Sequence, residues 1–167
     1  MIFSEAFDVL IDHEGGFQRD PKDRGNWTTG RIGQGELKGT KFGIAAHAYP
    51  HLDIKNLTLE HAKRIYQADY WAVLKLDRLP DSIRFDLFDM AVNSGVRASA
   101  RVLQKAVGEI PDGIIGPKTV ASCALLDPQL LDKRFNAERL LFLVDLNPWP
   151  TYGRGWVRRV AHNLLRD

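Results

Sequence analysis

Glu14 is the residue of this 167-residue chain whose type and position most directly suggest chemistry. Phe3, Phe7, Leu10 and Ile11 stand at i, i+4, i+7 and i+8, one apolar stripe of a helix. Glu14, four residues after Leu10 and seven after Phe7, extends that stripe. A carboxylate on a core-facing stripe is partly desolvated, which raises its pKa by disfavouring the charged form. The partial negative charge of the carbonyls in the last helical turn pushes the same way. A Glu that keeps its proton near neutral pH is what a general acid for glycosidic bond cleavage needs. Gly15-Gly16 stops the helix and leaves space for a bulky substrate. The same spacing also suits a helix-end Glu that simply reaches solvent, and periodicity does not separate the two readings.

A second acidic group follows in Asp20-Pro21-Lys22-Asp23. Glycoside hydrolysis commonly places two carboxylates across the scissile bond, about 5 Å or about 6.5–9.5 Å apart according to stereochemistry. A nine-residue return from Glu14 can bring Asp23 across a cleft, whereas Asp20, before a proline, reads as a turn former. Among Lys22, Arg24 and Gly25, Asp23 is expected to be more solvated than Glu14 and ionised. Thr28, Thr29 and Thr40 lie in a Gly-rich stretch where a hydroxyl could hold a water or merely bond to the local backbone. Tyr70 and Trp71 offer aromatic faces to a pyranose ring, although aromatics at helical spacing also build cores. Asn93, before Ser94-Gly95, reads as a helix-end hydrogen-bonder or a ligand to an N-acetyl group. No second His stands at zinc-ligand spacing from His13, so no metal is expected, and neither a phosphate loop nor a Ser-His-Asp elbow is present. Cys123, flanked by Ser122, Ala124 and Leu125, reads as buried packing rather than a nucleophile.

These residues must be positioned by a mostly helical chain. The first helix is followed by a Gly-rich stretch over 17–50, in which Arg31-Ile32-Gly33 and Thr40 to Ile44 suggest at most a small β-hairpin. Thr58 is expected to cap a helix running to about Leu74, with Ala62, Ile65, Tyr66 and Asp69 on one side. Asp81 or Ser82 would cap a second run with Ile83, Leu87, Phe88, Ala91 and Val92 inward, ended by Gly95. Residues 98–107 continue in helix, and Asp127-Pro128 reads as N-cap plus N1 proline of a longer helix to about Leu146. Pro148 and Pro150 imply a loop before a last amphipathic helix over 154–165. The fold expected is mainly α, with a small β-hairpin insertion beside an active-site cleft.

Composition narrows the class. With 44% apolar and 26% charged residues the chain is an ordinary globular domain, neither disordered nor a disulfide scaffold. No run approaches the roughly 20 apolar residues needed to span a bilayer, and the first five residues carry no signal-peptide pattern. A single cysteine fits folding in a reducing cytoplasm. Residues 1–30 carry a net charge of −3 and residues 97–167 a net +4, a gradient that could favour an anionic polymer. No basic stripe with interleaved aromatics marks a nucleic-acid surface.

Several blocks then coincide. Glu14-Gly15-Gly16-Phe17, Asp20-Pro21-Lys22-Asp23-Arg24-Gly25 and Thr40-Lys41-Phe42-Gly43-Ile44 resemble the front of glycoside hydrolase family 108, the lysozyme-like muramidases of phages and bacteria, some labelled secretion activators. Phe88 to Gly95, Leu103-Gln104, the Asp112-Gly113, Gly116-Pro117 and Thr119 run, and Tyr152 to Trp156 resemble that family's carboxy-terminal peptidoglycan-binding segment. Together the blocks span about residues 4–160 in the family's order. The resemblance implies one lysozyme-like α+β unit over 1–167, with a catalytic segment at 4–90 and a binding-like helical segment at 91–160 packed on it. It implies Glu14 as the catalytic acid, with Asp23 and Thr40 at matching positions. The stretch Asn26 to Gly39 is longer than in the commoner family pattern, which leaves open whether Thr28 or Thr40 faces the cleft.

The expected substrate is the β-1,4 bond between N-acetylmuramic acid and N-acetylglucosamine in peptidoglycan glycan strands. Glu14, Asp23 and Thr40 would be catalytic, and Thr28, Tyr70, Trp71 and Asn93 would bind substrate, without cofactor or metal. The alternatives are a lytic transglycosylase and a non-catalytic wall-binding or secretion-accessory protein. The expected setting is a monomer made in the cytoplasm that reaches the wall through a holin, another export route, or lysis, with neither nucleic acid nor an integral membrane segment involved.

Overall fold

The computed structural model describes residues 1–11, 16–147 and 149–166. Contacts divide the chain into two compact units, one of residues 3–68 and one of residues 69–167 together with Met1 and Ile2. Glu14 and the expected helix stop at Gly15 lie outside the described residues, as does Pro148.

In the first unit, helix α1 (Phe3–Ile11) buries Ala6, Phe7 and Leu10, the face its apolar stripe specifies. The Phe7 ring meets Tyr66, centroid to centroid 5.7 Å, at the end of helix α2 (Leu59–Tyr66). Thr58 caps α2 as the sequence predicts, its hydroxyl accepting the His61 N–H at 3.2 Å. The buried Tyr66 ring keeps its phenol satisfied by donating to the Phe42 carbonyl at 3.0 Å. Strands β1 (Thr40–Lys41) and β2 (Ile44–Ala45) form an antiparallel hairpin with Thr40 opposite Ala45 and Lys41 opposite Ile44. Its two turn residues, Phe42 and Gly43, both have positive φ, +51° and +73°, the geometry that matches strand twist in a two-residue hairpin. Arg31-Ile32-Gly33 does not form a strand. Gly30, Gly33 and Gly35, all with φ near +70°, fold that segment into successive turns.

The α-helical run expected to reach Leu74 stops at Tyr66 and widens into a π-helix over Gln67–Ala72. The second unit is a bundle of helices α3 (Asp81–Ser94), α4 (Val96–Ala106), α5 (Pro117–Leu125), α6 (Pro128–Val144) and α7 (Trp149–Leu164), in which α6 packs against α3, α4 and α7. Ile83, Leu87, Phe88 and Ala91 point inward from α3 as their spacing predicts, joined by Met90. Gly95, at φ +89°, makes the corner into α4. Asp127 caps α6 by accepting from the Gln129 and Leu130 N–H groups at 3.0 and 3.1 Å. Helix α7 begins five residues before its predicted start at 154. Pro150 is its second residue, where a missing N–H has no intrahelical partner to lose, so this proline starts the helix rather than preventing it. A Cβ on Gly153 would lie 2.7 Å from the Trp149 ring, so the indole rests directly on the helix backbone.

Two features of this bundle carry expected results. The Gln104 side chain, 2% exposed, holds the segment before α5. Its Nε2 donates to Asp112 Oδ1 at 2.7 Å and the Ile114 carbonyl at 3.0 Å, and its Oε1 accepts the Gly113 N–H at 2.8 Å. The Gln104 Nε2 bond to Asp112, with the Ile114 N–H on the same carboxylate, holds the Asp112 carboxyl below the usual Asp range. Truncation in Gln104→Ala strands a buried N–H and opens a hole, so urea unfolding should show a loss on the order of 2–4 kcal/mol. A change below about 0.5 kcal/mol, the level of an ordinary surface substitution, would contradict this hub role. Cys123 on α5 is buried, and burial pushes its thiol up to about 11. At pH 8 it should therefore resist a disulfide-exchange reagent in the native protein and react at once in denaturant, as read by absorbance of the released thiolate.

α3, α6 and α7 also share a buried ionic cluster that the sequence reading did not single out. Asp89 Oδ1 accepts from Arg159 Nε at 2.7 Å, and Oδ2 accepts from Asn163 Nδ2 at 2.9 Å and from Arg139 Nη2. Asp86 Oδ2 accepts from Asn136 Nδ2 at 2.8 Å. Charges this deeply placed persist only because they are paired and hydrogen-bonded.

Candidate functional site

The chain returning from the Glu14-Gly15-Gly16-Phe17 motif is organised by a sequence of local bonds. Asp20 Oδ1 accepts the Lys22 N–H at 2.9 Å, so Asp20 shapes the turn at Pro21 as its position predicts. Asp23 then caps the 3-10 helix Arg24–Asn26, its Oδ1 accepting the Gly25 N–H at 2.8 Å. The Asp23 carboxylate stays exposed, and its second oxygen accepts from Gln18 Nε2 at 3.2 Å.

Asn26 is the centre of this region and is completely buried. Its Nδ2 donates to Gln18 Oε1 at 2.7 Å and to the Asp20 carbonyl at 2.9 Å. Its Oδ1 accepts from Gln18 Nε2 at 3.1 Å and from Thr40 Oγ1 at 2.7 Å. All four hydrogen-bonding positions of the amide are thus filled. The Asn26 carbonyl also accepts the Lys38 and Gly39 N–H groups at 2.9 and 3.1 Å, which ties in the far side of the Gly-rich stretch. Gln18 and Thr40 are further joined through their backbones, each N–H donating to the other's carbonyl at 2.9 Å. That close approach requires Gly39, at φ +90°, where a Cβ would lie 2.4 Å from the Gln18 carbonyl oxygen.

Asp23 and Thr40, 17 positions apart, are therefore linked through Gln18 and Asn26. Thr40 donates its hydroxyl proton to Asn26, which leaves its oxygen lone pairs as acceptors. Thr28 has a different assignment. Its Oγ1 accepts the Glu36 N–H at 3.0 Å, and its N–H donates to the Glu36 carbonyl at 2.9 Å, so it closes the turns between Thr28 and Glu36. Sequence reasoning did not single out Gln18 or Asn26. The only available signal was a pair of amides flanking the Asp20–Asp23 turn.

The other candidates lie in the second unit. Tyr70 is half-buried in the π-helix. Trp71, expected in a sugar-stacking wall, is 1% exposed, donates its indole N–H to Asp77 Oδ1 at 2.9 Å, and packs edge-on against Phe88. Its faces are taken up by packing, because the π-turn carries the ring into the core. Asn93 is exposed on the last turn of α3 and donates Nδ2 to the Asp89 carbonyl at 2.7 Å, a helix-end bond that leaves its amide oxygen available. Among the described residues no group of His, Cys, Asp and Glu has a metal-binding arrangement, and no helix is long and apolar enough to cross a membrane.

Comparison with known proteins bears on this segment directly. Residues 7–95 match the family model for glycosyl hydrolase 108. The chain is similar to the solved structure of SagA from Brucella abortus, with 30% identity and a TM-score of 0.83 over 98% of this chain and 92% of that one. No curated protein sequence matches the chain.

Proposed function

The chain belongs to glycosyl hydrolase family 108, and on that basis we propose that it cleaves the β-1,4 bond between N-acetylmuramic acid and N-acetylglucosamine in peptidoglycan, with Glu14 as general acid. The observation that carries this reading is the network joining Asp23, Gln18, Asn26 and Thr40 in the segment immediately after the Glu14 motif. Glu14 protonates the leaving glycosidic oxygen, and the sugar gains oxocarbenium character as the bond lengthens. Thr40 accepts a hydrogen bond from the incoming water through the lone pairs it keeps. Asp23, with acceptor capacity left on both oxygens, takes a proton as that water attacks. Asn26 and Gln18 are positioning residues, and the fully bonded amide pair fixes the distance between carboxylate and hydroxyl. We assign the water-holding role to Thr40 rather than Thr28, whose hydroxyl closes a turn.

In this reading Asn93 and Tyr70 contribute to substrate binding, and residues 91–160 hold the wall polymer. The protein acts on the cell wall after export or lysis. Purified sacculi test the proposal. Wild-type protein should clear their turbidity, whereas a protein that only binds the wall leaves turbidity unchanged, and that outcome would refute a hydrolytic role.

A further inference from the structure

A cavity of about 330 Å³ opens in the first unit, between the extended residues after the Glu14 motif and residues 51–55. The bridge between Gln18 and Thr40 fixes the face on which it lies. Side chains alternate along an extended chain, so Phe17 and Arg19 project away from Gln18, whose amide reaches Asn26 and Asp23. The Phe17 ring accordingly lies over Gly39, where a Cβ would be 2.9 Å from it. The cavity is therefore on the opposite side of this segment from the network of Asp23, Gln18, Asn26 and Thr40.

Its apolar lining is Phe17, Leu37, Leu52 and Ile54, and its polar lining is Arg19, Lys38, His51, Asp53 and Lys55. Lys38 is held in place, donating to the Pro50 carbonyl at 2.6 Å and pairing with Glu36 at 3.3 Å. Asp53, the one carboxylate lining the cavity among the described residues, accepts the Asn56 N–H at 3.3 Å on one oxygen and Asn56 Nδ2 at 2.8 Å on the other. Arg19 and Lys55 are exposed, and among the described residues their side chains make neither a hydrogen bond nor an ion pair. Three cations thus line a cavity with one carboxylate, and two of the three are unpaired. The volume is at the low end of ligand pockets, about 300–1,000 Å³, room for an amino-acid-sized group rather than a single ion. A guanidinium fork suits carboxylate and phosphate alike. The apolar wall, with Phe17 39% exposed, decides between them, because burying it rewards a hydrocarbon stem and not an inorganic anion or a polyol phosphate. We propose that this cavity binds a carboxylate on a short aliphatic stem, as in an acidic peptide, with Arg19 and Lys55 taking the charge and Phe17 and Leu52 the stem. Its assignment to the peptide stems of peptidoglycan rests on the proposed function, while free glutamate offers the same chemistry from another source.

The test is an NMR titration of the isotope-labelled full chain with acetyl-L-alanyl-D-glutamate, its diamide, free glutamate and inorganic phosphate. The backbone N–H signals of Arg19, Leu52 and Lys55 should shift with the dipeptide, and the diamide should bind at least about tenfold more weakly, since the charge-assisted bonds are lost. Arg19→Gln combined with Lys55→Gln removes both charges at exposed positions, so the spectrum should stay folded while dipeptide binding weakens by at least about tenfold. Equal binding of dipeptide and diamide, no shift at Arg19, Leu52 and Lys55, or unaltered binding by the double variant overturns the proposal. Inorganic phosphate binding as tightly as the dipeptide overturns the choice of a stem-borne carboxylate, and free glutamate doing so overturns the peptide assignment. Because the probe contains no sugar, dipeptide binding without sacculus clearing refutes only the hydrolytic reading. Clearing without dipeptide binding refutes only this one.

Discussion

Glu14→Gln is expected to reduce sacculus clearing by about 10²- to 10⁴-fold, the range over which a positioned general acid contributes. The substitution keeps the shape and length of the side chain and removes only the proton that would be given to the leaving oxygen. It should leave the melting temperature near wild type, because the packing of α1 is made by Ala6, Phe7 and Leu10 and the network beyond it is anchored on Asn26. The motivation is convergence of three sequence features on one residue: the apolar stripe, the helix terminus and the Glu14-Gly15-Gly16-Phe17 motif. Clearing within a few-fold of wild type, in a protein that melts normally, would remove Glu14 from the role of acid.

The second large effect belongs to Asp23. Asp23→Asn should lower kcat by roughly 100-fold, equivalent to about 2.7 kcal/mol of transition-state stabilisation, with KM nearly unchanged. The structure also fixes what else the substitution does. The new carboxamide oxygen can still accept the Gly25 N–H, so the cap on the 3-10 helix survives. Its NH₂ group would face Gln18 Nε2, a donor against a donor. Gln18 cannot turn over to relieve this, because its Oε1 accepts from both Asn26 Nδ2 and the Asp20 N–H. One exposed hydrogen bond is therefore lost, about 0.5–1.5 kcal/mol of stability, a cost that urea unfolding separates from the kinetic effect. A fully active Asp23→Asn enzyme would leave Glu14 working with a water held by Thr40 alone.

Much of this architecture is legible in the sequence because it rests on local rules. The stripe of α1, the Thr58 and Asp127 caps and the inward positions of α3 follow from helical spacing and from the need to satisfy the first free N–H groups. Pro150 misled because proline both breaks helices and begins them, and only the following turn of structure decides which. Trp71 misled because a π-turn shifts the face that helical spacing assigns, carrying into the core a ring expected at a binding wall. The long-range polar contacts were invisible for a different reason. Asn26 meets Gln18 and Thr40, and Arg139 meets Asp86 and Asp89, across 8 to 53 positions, and no period or cap encodes such pairings. Each is visible in sequence only as a polar residue in an unpromising place, as with Asp86 and Asp89 within the otherwise apolar run of α3.

Cleavage of purified sacculi in ¹⁸O-enriched water, followed by mass analysis of the released muropeptides, tests the central claim most directly. The account predicts muropeptides that end in reducing N-acetylmuramic acid carrying one ¹⁸O, because water attacks the sugar after Glu14 protonates the leaving oxygen. Products ending in 1,6-anhydro rings with no label, the mark of a lytic transglycosylase, would contradict it, as would the absence of any released glycan.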